Sequence, residues 1–304
     1  MNIYITGIKG FMGAHMSHYF EKQGHNVAGC DNDFHPCQLK PTGIIHNADI
    51  RNLDLMDYLI LSHKTDVVIH LAAQLHVDYS IKYPHETMNI NAMGTLNILE
   101  VCRKNNIKCI VASTSEIYGS SQTDFMDETH PLDAQSPYGA SKVAGDRLAK
   151  SYIDTYDQDI IIIRNFNAFG PYQNDGTAYG SVIAKFTRAA LTGESLFIYG
   201  DGTQVRDYMD IKDVLQAYDF TLYHLPRGVY NFGTGEEITI KDLAETIIRV
   251  TQSKSRIFHV APRAGEVQRL CCNCDKAKSF GFKPQTSFLR DLCEYVAWYE
   301  KTLK

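Results

Sequence analysis

Short apolar runs recur along the first half of the chain, and amphipathic stretches separate them. "NIYIT" is followed by a glycine-rich turn and then "FMGAHMSHYFEKQG", whose apolar positions repeat with a helical period. "NVAGCD" and "GIIHNAD" read as the next two strands, and "LDLMDYLILSH" as a helix. "DVVIHLAA" reads as a buried strand, and "ETMNINAMGTLNILEVCRKNN" as one long helix that stops at Asn105-Asn106. "IKCIVAST" and "DIIIIRNFN" complete a set of six strands. Strands alternating with helices predict a parallel, doubly wound sheet with helices on both faces. The unbroken apolar character of the strands fits burial on both sides. After about Asn165 the alternation loosens. "FGPYQNDGTAYGS" reads as loop, and mixed helix and strand signals follow it. The expectation is an α/β chain with one sheet-forming domain over residues 1–165. A smaller lobe over 166–304 is laid across that sheet, with no clear linker, an approximate boundary and some interleaving.

Composition narrows the class. The chain has 304 residues, 44% hydrophobic and 21% charged, enough to bury a large core without disulfides or metals. A formal net charge of −5 gives no electrostatic case for nucleic acid or an anionic membrane. The longest apolar runs, such as "DIIIIR", are too short to span a bilayer. The chain opens directly on a strand-like run, so no leader is expected and the cytoplasm is the expected location. Cys30, Cys37, Cys102, Cys109 and Cys293 stand singly, as small hydrophobes do. "CCNC" (Cys271, Cys272, Cys274) lacks the paired spacings of structural zinc, and the His residues are dispersed, so no metal is expected.

Three stretches carry chemistry. The first is "TGIKGFMG", with Gly7, Gly10 and Gly13 between a strand and a helix. Glycines there allow a tight turn, close approach of a pyrophosphate to backbone N–H groups, and close helix packing. Asp31 ends the next strand, where a carboxylate accepts hydrogen bonds from ribose hydroxyls and repels a ribose phosphate. With no Arg adjacent, that favours NAD over NADP. Asp49 ends the third strand, where it meets an adenine amino group or caps the following helix. The second stretch is "STSEIYG", which places Thr114, Ser115 and Glu116 just past a buried strand. A charge in such a place is paired, held for chemistry, or turned to solvent. The third is "SPYGASKVAGDRLAKSY", where Tyr138 and Lys142 lie four apart on one helical face. A lysine cation beside a phenol lowers its pKa, which suits Tyr138 to take a proton from a sugar hydroxyl.

With the glycine turn, Thr114 and the Tyr138/Lys142 pair in this order, the chain resembles the extended short-chain dehydrogenase/reductases. More narrowly it is similar to the NAD-dependent nucleotide-sugar epimerases, dehydratases and decarboxylases. "HLAAQLHVDYS", "NAMGTLNILE", "RNFNAFGP", "YGDGTQVRDYMDIKDV", "YNFGTGEEITI" and "PRAGEVQ" resemble family segments at their expected places. The resemblance implies a Rossmann-type domain that binds NAD and a C-terminal lobe that binds an NDP-sugar. It implies a homodimer through helices around Asn91–Lys104 and Tyr138–Tyr156. It further implies that NAD is held by Gly7, Gly10, Phe11, Met12, Gly13, Asp31, Asp49 and Ile50, and by Leu71, Ala72, Ala73, Asn91, Tyr138 and Lys142. Thr114, Ser115, Glu116, Tyr138 and Lys142 are the implied catalytic set. His76 and Asn167 are implied at the substrate, with Arg206 and Arg263 as diphosphate clamps, since a guanidinium matches phosphate geometry.

All these enzymes begin by oxidising the sugar at C4. A 4-epimerase then needs only to rotate the ketosugar, and epimerases usually carry small or neutral residues at positions 115 and 116. A 4,6-dehydratase needs a base for the C5 proton, and the resemblance implies that Glu116 would be that base. In dTDP-glucose 4,6-dehydratases the stretch typically reads Thr-Asp-Glu, so Ser115 leaves the acid step open. Thr-Ser-Glu is usual in the GDP-mannose and UDP-N-acetylglucosamine 4,6-dehydratases and occurs in UDP-glucuronate decarboxylases. "ETHPLDAQSPYGASK" resembles the UDP-N-acetylglucosamine group most. The expected function is therefore a nucleotide-sugar 4,6-dehydratase. A 4-epimerase, a decarboxylase and a nucleotide-binding regulator without catalysis are the alternatives.

Overall fold

The computed structural model describes residues 1–34, 36–173, 181–263, 265–285 and 287–303. Residues 174–180, within the stretch read as a loop, and Ala264 of "PRAGEVQ" lie outside the described residues. The first half runs β1 (Asn2–Thr6), α1 (Phe11–Lys22), β2 (Asn26–Asp31), β3 (Ile44–Asn47), α2 (Leu53–Ser62), β4 (Val67–His70), α3 (Val77–Lys82) and α4 (Pro84–Met88). It continues with α5 (Gly94–Asn105), β5 (Lys108–Thr114), α6 (Pro137–Tyr156) and β6 (Ile160–Asn165). The second half holds β7 (Asn167–Phe169), α7 (Val182–Thr192), β8 (Leu196–Tyr199), β9 (Val205–Arg206), β10 (Tyr208–Asp210) and α8 (Ile211–His224). It ends with β11 (Gly228–Phe232), β12 (Ile238–Thr239), α9 (Ile240–Thr251), β13 (Ile257–Val260), α10 (Asp275–Ser279) and α11 (Phe288–Thr302).

Seven strands form one parallel sheet in the order β11-β6-β5-β4-β1-β2-β3. The chain reverses direction of travel across the sheet between β1 and β4, which is where ligands settle in doubly wound sheets. Both faces are covered. On one, Ile3, Ile5, Ile161 and Ile163 pack against α1 and α8. On the other, Tyr4, Val68, Ile160 and Ile162 pack against α2, α5 and α6. Fully burying an isoleucine side chain is worth about 1.5–3 kcal/mol. The run Ile160–Ile163, with no exposed surface at any of the four, is thus a main anchor of the sheet. A separate core beneath β8 and β10 is built from α7, α9 and α11, with Phe186, Leu243 and Tyr295 at its centre. No helix among the described residues is long and apolar enough to cross a membrane.

The structure adds to the sequence reading in two places. A seventh strand, β11, comes from the second half and pairs with β6, and α8 lies on the sheet beside α1. The long helix read from Glu86 to Asn106 is instead α4 and α5 joined by a π turn, Asn89–Met93. The extra residue in that turn aims Asn91 inward, so that it is 1% exposed.

Candidate active site and dinucleotide cleft

The glycine turn has the geometry of an anion cradle. Gly7 sits at φ +75°, and its N–H donates to the Cys30 carbonyl at 2.8 Å, hanging the turn on β2. A Cβ on Gly13 would stand 2.2 Å from the Gly7 carbonyl oxygen, so only glycine lets α1 press this close to the turn. The Phe11, Met12 and Gly13 amides open α1 and have no acceptor within the helix, which leaves them for a pyrophosphate. Asp31, at the end of β2, accepts from the Lys9 amide at 3.0 Å and the Asp33 amide at 2.9 Å, and burial pushes its pKa up. The nearby Lys9 ammonium is committed to Asp33 at 2.6 Å. These residues fit NAD: an amide cradle for two phosphates and a carboxylate that disfavours a third.

One cavity of about 610 Å³ opens at the carboxyl ends of β1, β4 and β5 and runs under the C-terminal half. Gly7, Gly10, Phe11, Met12, Gly13, Leu71 and Ala73 line its inner end. Thr114, Ser115, Glu116, Tyr138 and Lys142 line its middle, together with His76. Asn167, Arg206 and Arg263 line its outer part. Sixteen sequence-predicted residues therefore meet in one place.

Five others stand outside the cavity lining, and the reasons are local. Asp31 ends β2 and does not line the cavity. Asp49 is gripped on both oxygens by Arg51, at 2.9 and 2.6 Å, which holds its carboxyl below the usual range. Asp49 does not cap α2; the cap is Asn52, whose side chain accepts from the Leu55 amide at 3.1 Å. Ile50 is pinned beneath α5, where a Cβ on Gly94 would lie 2.4 Å from its Cδ1. Ala72 donates its N–H to Thr6 Oγ1 at 3.2 Å. Asn91 is behind the cleft rather than in it. Its amide donates to the Gln74 carbonyl and the Ser141 hydroxyl, both at 2.8 Å, and its oxygen accepts from the Gln74 N–H at 2.8 Å. It acts as a buried tie between the loop after β4 and α6.

The residues expected to react come from two elements. β5 ends at Thr114, whose hydroxyl accepts from the Glu116 amide at 3.3 Å and starts a 3₁₀ turn over Ser115–Tyr118. Ser136 caps α6 by accepting from the Gly139 amide at 3.1 Å, and Pro137 occupies its first turn. That fixes Tyr138 and Lys142 on the face turned to β5. Tyr138 hydrogen-bonds Thr114. Lys142 Nζ donates to the Ala112 carbonyl at 2.7 Å, and burial lowers its pKa to about 8. The sequence reading expected the lysine to bring the phenol down. In the structure burial, then the Glu116 charge, push Tyr138 above its ordinary range, and the Thr114 bond is the opposing influence. Glu116 is half-buried; burial raises its pKa, Arg206 opposes this and Glu266 adds to it.

At the outer end, Asn167 donates to the Asp207 carbonyl at 3.1 Å, and Arg263 lies over the Tyr199 ring at 3.9 Å. Arg206 spends one guanidinium N–H on the Val205 carbonyl at 3.0 Å and stands 3.6 Å from Glu266. Sequence reasoning missed Lys185, Gln204, Tyr208 and Glu266, all of which line the cavity. Glu266 was legible only as part of "PRAGEVQ". Lys185 lies in an ordinary amphipathic helix, and nothing in its neighbours marks it.

Residues 3–233 match the model of the NAD dependent epimerase/dehydratase family. The chain superimposes on the UDP-glucose 4-epimerase of Thermotoga maritima, solved with UDP-glucose, with a TM-score of 0.96, 30% identity and full coverage of both chains. It is similar to the dTDP-glucose 4,6-dehydratase of Bacillus anthracis, solved with NAD, with a TM-score of 0.87, 32% identity and coverage of 99% and 97%. It is also 33% identical to the UDP-N-acetyl-alpha-D-glucosaminuronate decarboxylase of Bacillus cytotoxicus, across 99% of this chain and 94% of that one.

Proposed function

This chain belongs to the NAD dependent epimerase/dehydratase family, and from that premise we propose that it is a nucleotide-sugar 4,6-dehydratase for a UDP-N-acetylglucosamine-type substrate. The observation that carries the reading is Glu116, a carboxylate in the cavity beside Thr114 and Tyr138. Alcohol oxidation at C4 does not require it. Bound NAD supplies the acceptor and later the donor of hydride.

Tyr138 takes the proton from the C4 hydroxyl, with Thr114 orienting that oxygen. The resulting ketone acidifies C5–H, and Glu116 removes that proton. Its burial favours the protonated form, which suits a group that must take a proton and pass it on. With serine at 115, Glu116 is the one carboxylate of the stretch, so the proton it takes from C5 is at hand for the departing C6 oxygen. The C6–O bond breaks and water leaves with that proton; hydride from the reduced cofactor would return to C6, a solvent proton relayed by Glu116 reaches C5, and Tyr138 releases its proton to solvent, which gives a 4-keto-6-deoxy sugar. Arg206 and Arg263 hold the diphosphate, and Asn167 assists. The molecule pairs with a second copy through the outward faces of α5 and α6.

A 4-epimerase is the second reading, favoured by the 0.96 superposition on the Thermotoga maritima enzyme. Mass spectrometry of products from a panel of NDP-sugars, run in heavy water, separates the two. A dehydratase releases a product lighter by one water with deuterium at C5. A product of unchanged mass without deuterium at C5 overturns the reading. Glu116→Gln removes the base at constant size. Elimination is expected to slow by about 10²–10⁴-fold, leaving a 4-ketosugar that keeps its C6 oxygen.

A further inference from the structure

One buried carboxylate of the outer wall has no part in the mechanism. Asp207 lies between β9 and β10 and has no exposed surface. Side chains alternate along extended chain. Gln204, Arg206 and Tyr208 line the cavity, while Asp207 does not. Its Oδ1 accepts from the Thr234 amide at 2.9 Å and the Thr234 hydroxyl at 2.7 Å. Its Oδ2 accepts from the Gly235 amide at 2.8 Å and the Cys272 amide at 3.2 Å. A Cβ on Gly233 would stand 2.8 Å from Oδ2 and 2.5 Å from the Cys272 Cβ, so glycine lets this turn close on the carboxylate. A buried charge is costly unless it is fully hydrogen-bonded. Three backbone N–H groups and a hydroxyl meet that need here.

The donors come from distant parts of the chain. Thr234 and Gly235 follow β11, which belongs to the seven-stranded sheet through its pairing with β6. Cys272 lies between β13 and α10. The main chain of Asp207 makes a further tie. Its carbonyl accepts from the backbone N–H and from the side-chain amide of Asn167, each at 3.1 Å. Arg206 is its chain neighbour, and there β9 pairs with β12, placing Arg206 opposite Ile238. Residues 234–238 thus hold this strand twice, through the Asp207 carboxylate and through the ladder. Arg206, Asn167 and the end of β11 are joined at one residue.

We propose that Asp207 is a positioning residue for the diphosphate site: its carboxylate fixes the backbone that presents Arg206 and Asn167 to the cavity as one clamp. This rests on the reading of those two residues as diphosphate ligands. Asp207 itself does not meet the ligand. It holds Arg206 and Asn167 against the end of β11, so a phosphate meets donors already in place and binding has less of the wall to order.

The test is calorimetry on the full-length protein with NAD bound. UDP is titrated directly and uridine by competition against it, in wild type and in Asp207→Asn. Asparagine keeps one acceptor and turns an NH2 group toward backbone donors, so part of the tie is lost at nearly constant volume. UDP affinity is expected to fall about tenfold, while uridine and NAD stay within about twofold of wild type. A general loosening of the lobe would weaken uridine as much as UDP and leave their ratio unmoved. Either that result or an unmoved UDP affinity overturns the proposal and leaves Asp207 a structural carboxylate. Thr234→Val removes the hydroxyl donor, keeps the backbone amides, and is expected to give a smaller loss in the same direction. Should Asp207→Asn fail to fold, an unmoved UDP affinity in Thr234→Val overturns the proposal. Failure of the diphosphate reading shows separately, as UDP affinity unmoved in Arg206→Gln. No turnover is measured, so the result does not depend on which reaction the site performs.

Discussion

At the scale of single residues, the site sets burial against charge. Lys142 is pressed against the Ala112 carbonyl, and its pKa of about 8 means that its charge is within reach of mildly alkaline pH. In the proposed mechanism its cation would support the Tyr138 phenolate during proton removal, and that support is expected to fade as pH rises through 8. Tyr138→Phe removes the proton acceptor and little volume. Turnover is expected to fall about 10²–10⁴-fold, with NAD and NDP-sugar binding retained by calorimetry; near-normal rates would make another residue the base. Asp31 is expected to act through repulsion. Its oxygens already accept two backbone amides, and the neighbouring Lys9 is held by Asp33, so that lysine is not at hand to offset a ribose phosphate. NAD is expected to bind much more tightly than NADP, and Asp31→Ala to narrow the gap. Equal affinities in the wild type would remove the ribose assignment.

Elements carry these residues, and their ends decide what the sequence can reveal. β1, α1, β2, β4, β5 and β6 were legible because unbroken apolar runs and a glycine turn leave little choice. β11 was not: "GVYNF" is short and apolar, and only its parallel register against Ile161–Asn165 makes it a sheet strand. The π turn at Asn89–Met93 was hidden because helical periodicity tolerates one extra residue, and Asn91 changes from a cleft residue to a buried tie as a result. Asp49 and Asn52 both suit a helix start, and the Arg51 side chain decides between them by taking Asp49. A similar contest at α8 yields a prediction. Asp210 caps that helix through the Lys212 amide at 2.7 Å, but burial, with Asp291 and Asp213 nearby, raises its pKa from 3.8 to about 6. The folded state thus binds the proton more tightly than the unfolded chain. Asp210 therefore detracts from stability increasingly as pH rises from about 4 through 6. Asp210→Asn keeps a cap acceptor and removes the charge. It is expected to raise the melting temperature at pH 7 and to make little difference near pH 4. A shift of equal size at both would mean that the charge at 210 is not what matters.

Across the whole molecule, the cavity is a seam between two bodies that are fastened unequally. The sheet body supplies the glycine turn, Thr114, Tyr138 and Lys142; the outer body supplies Lys185, Tyr199, Arg206, Arg263 and Glu266. The fastening runs through the sheet itself, because β11 pairs with β6 and α8 packs beside α1, with Tyr19 hydrogen-bonded to Asp219 at 3.4 Å. β7 and β10 add a two-stranded link near the cavity. The outer body is thus anchored at its root, and its cavity face joins the sheet body through the Gln268–Ser120 hydrogen bond and a small buried core in which Val267 and Leu270 pack with Ile117, Tyr118 and Phe166. On the proposed reading a dinucleotide on the glycine turn would touch the first body alone, whereas a nucleoside diphosphate under Arg206 and Arg263 would span the seam. Ligand that binds only the folded form adds about 2.7 kcal/mol at a hundred times its Kd, but where that stabilisation falls differs for the two. Amide hydrogen exchange reads this directly. NAD alone is expected to slow exchange at the Phe11–Gly13 amides and at 71–73, and to leave 205–206 and 265–270 at their free rates. UDP added to the NAD-bound protein is expected to slow those outer segments as well. If NAD alone protects 265–270 as strongly as NAD with UDP, the two bodies move as one and the diphosphate is not what draws them together.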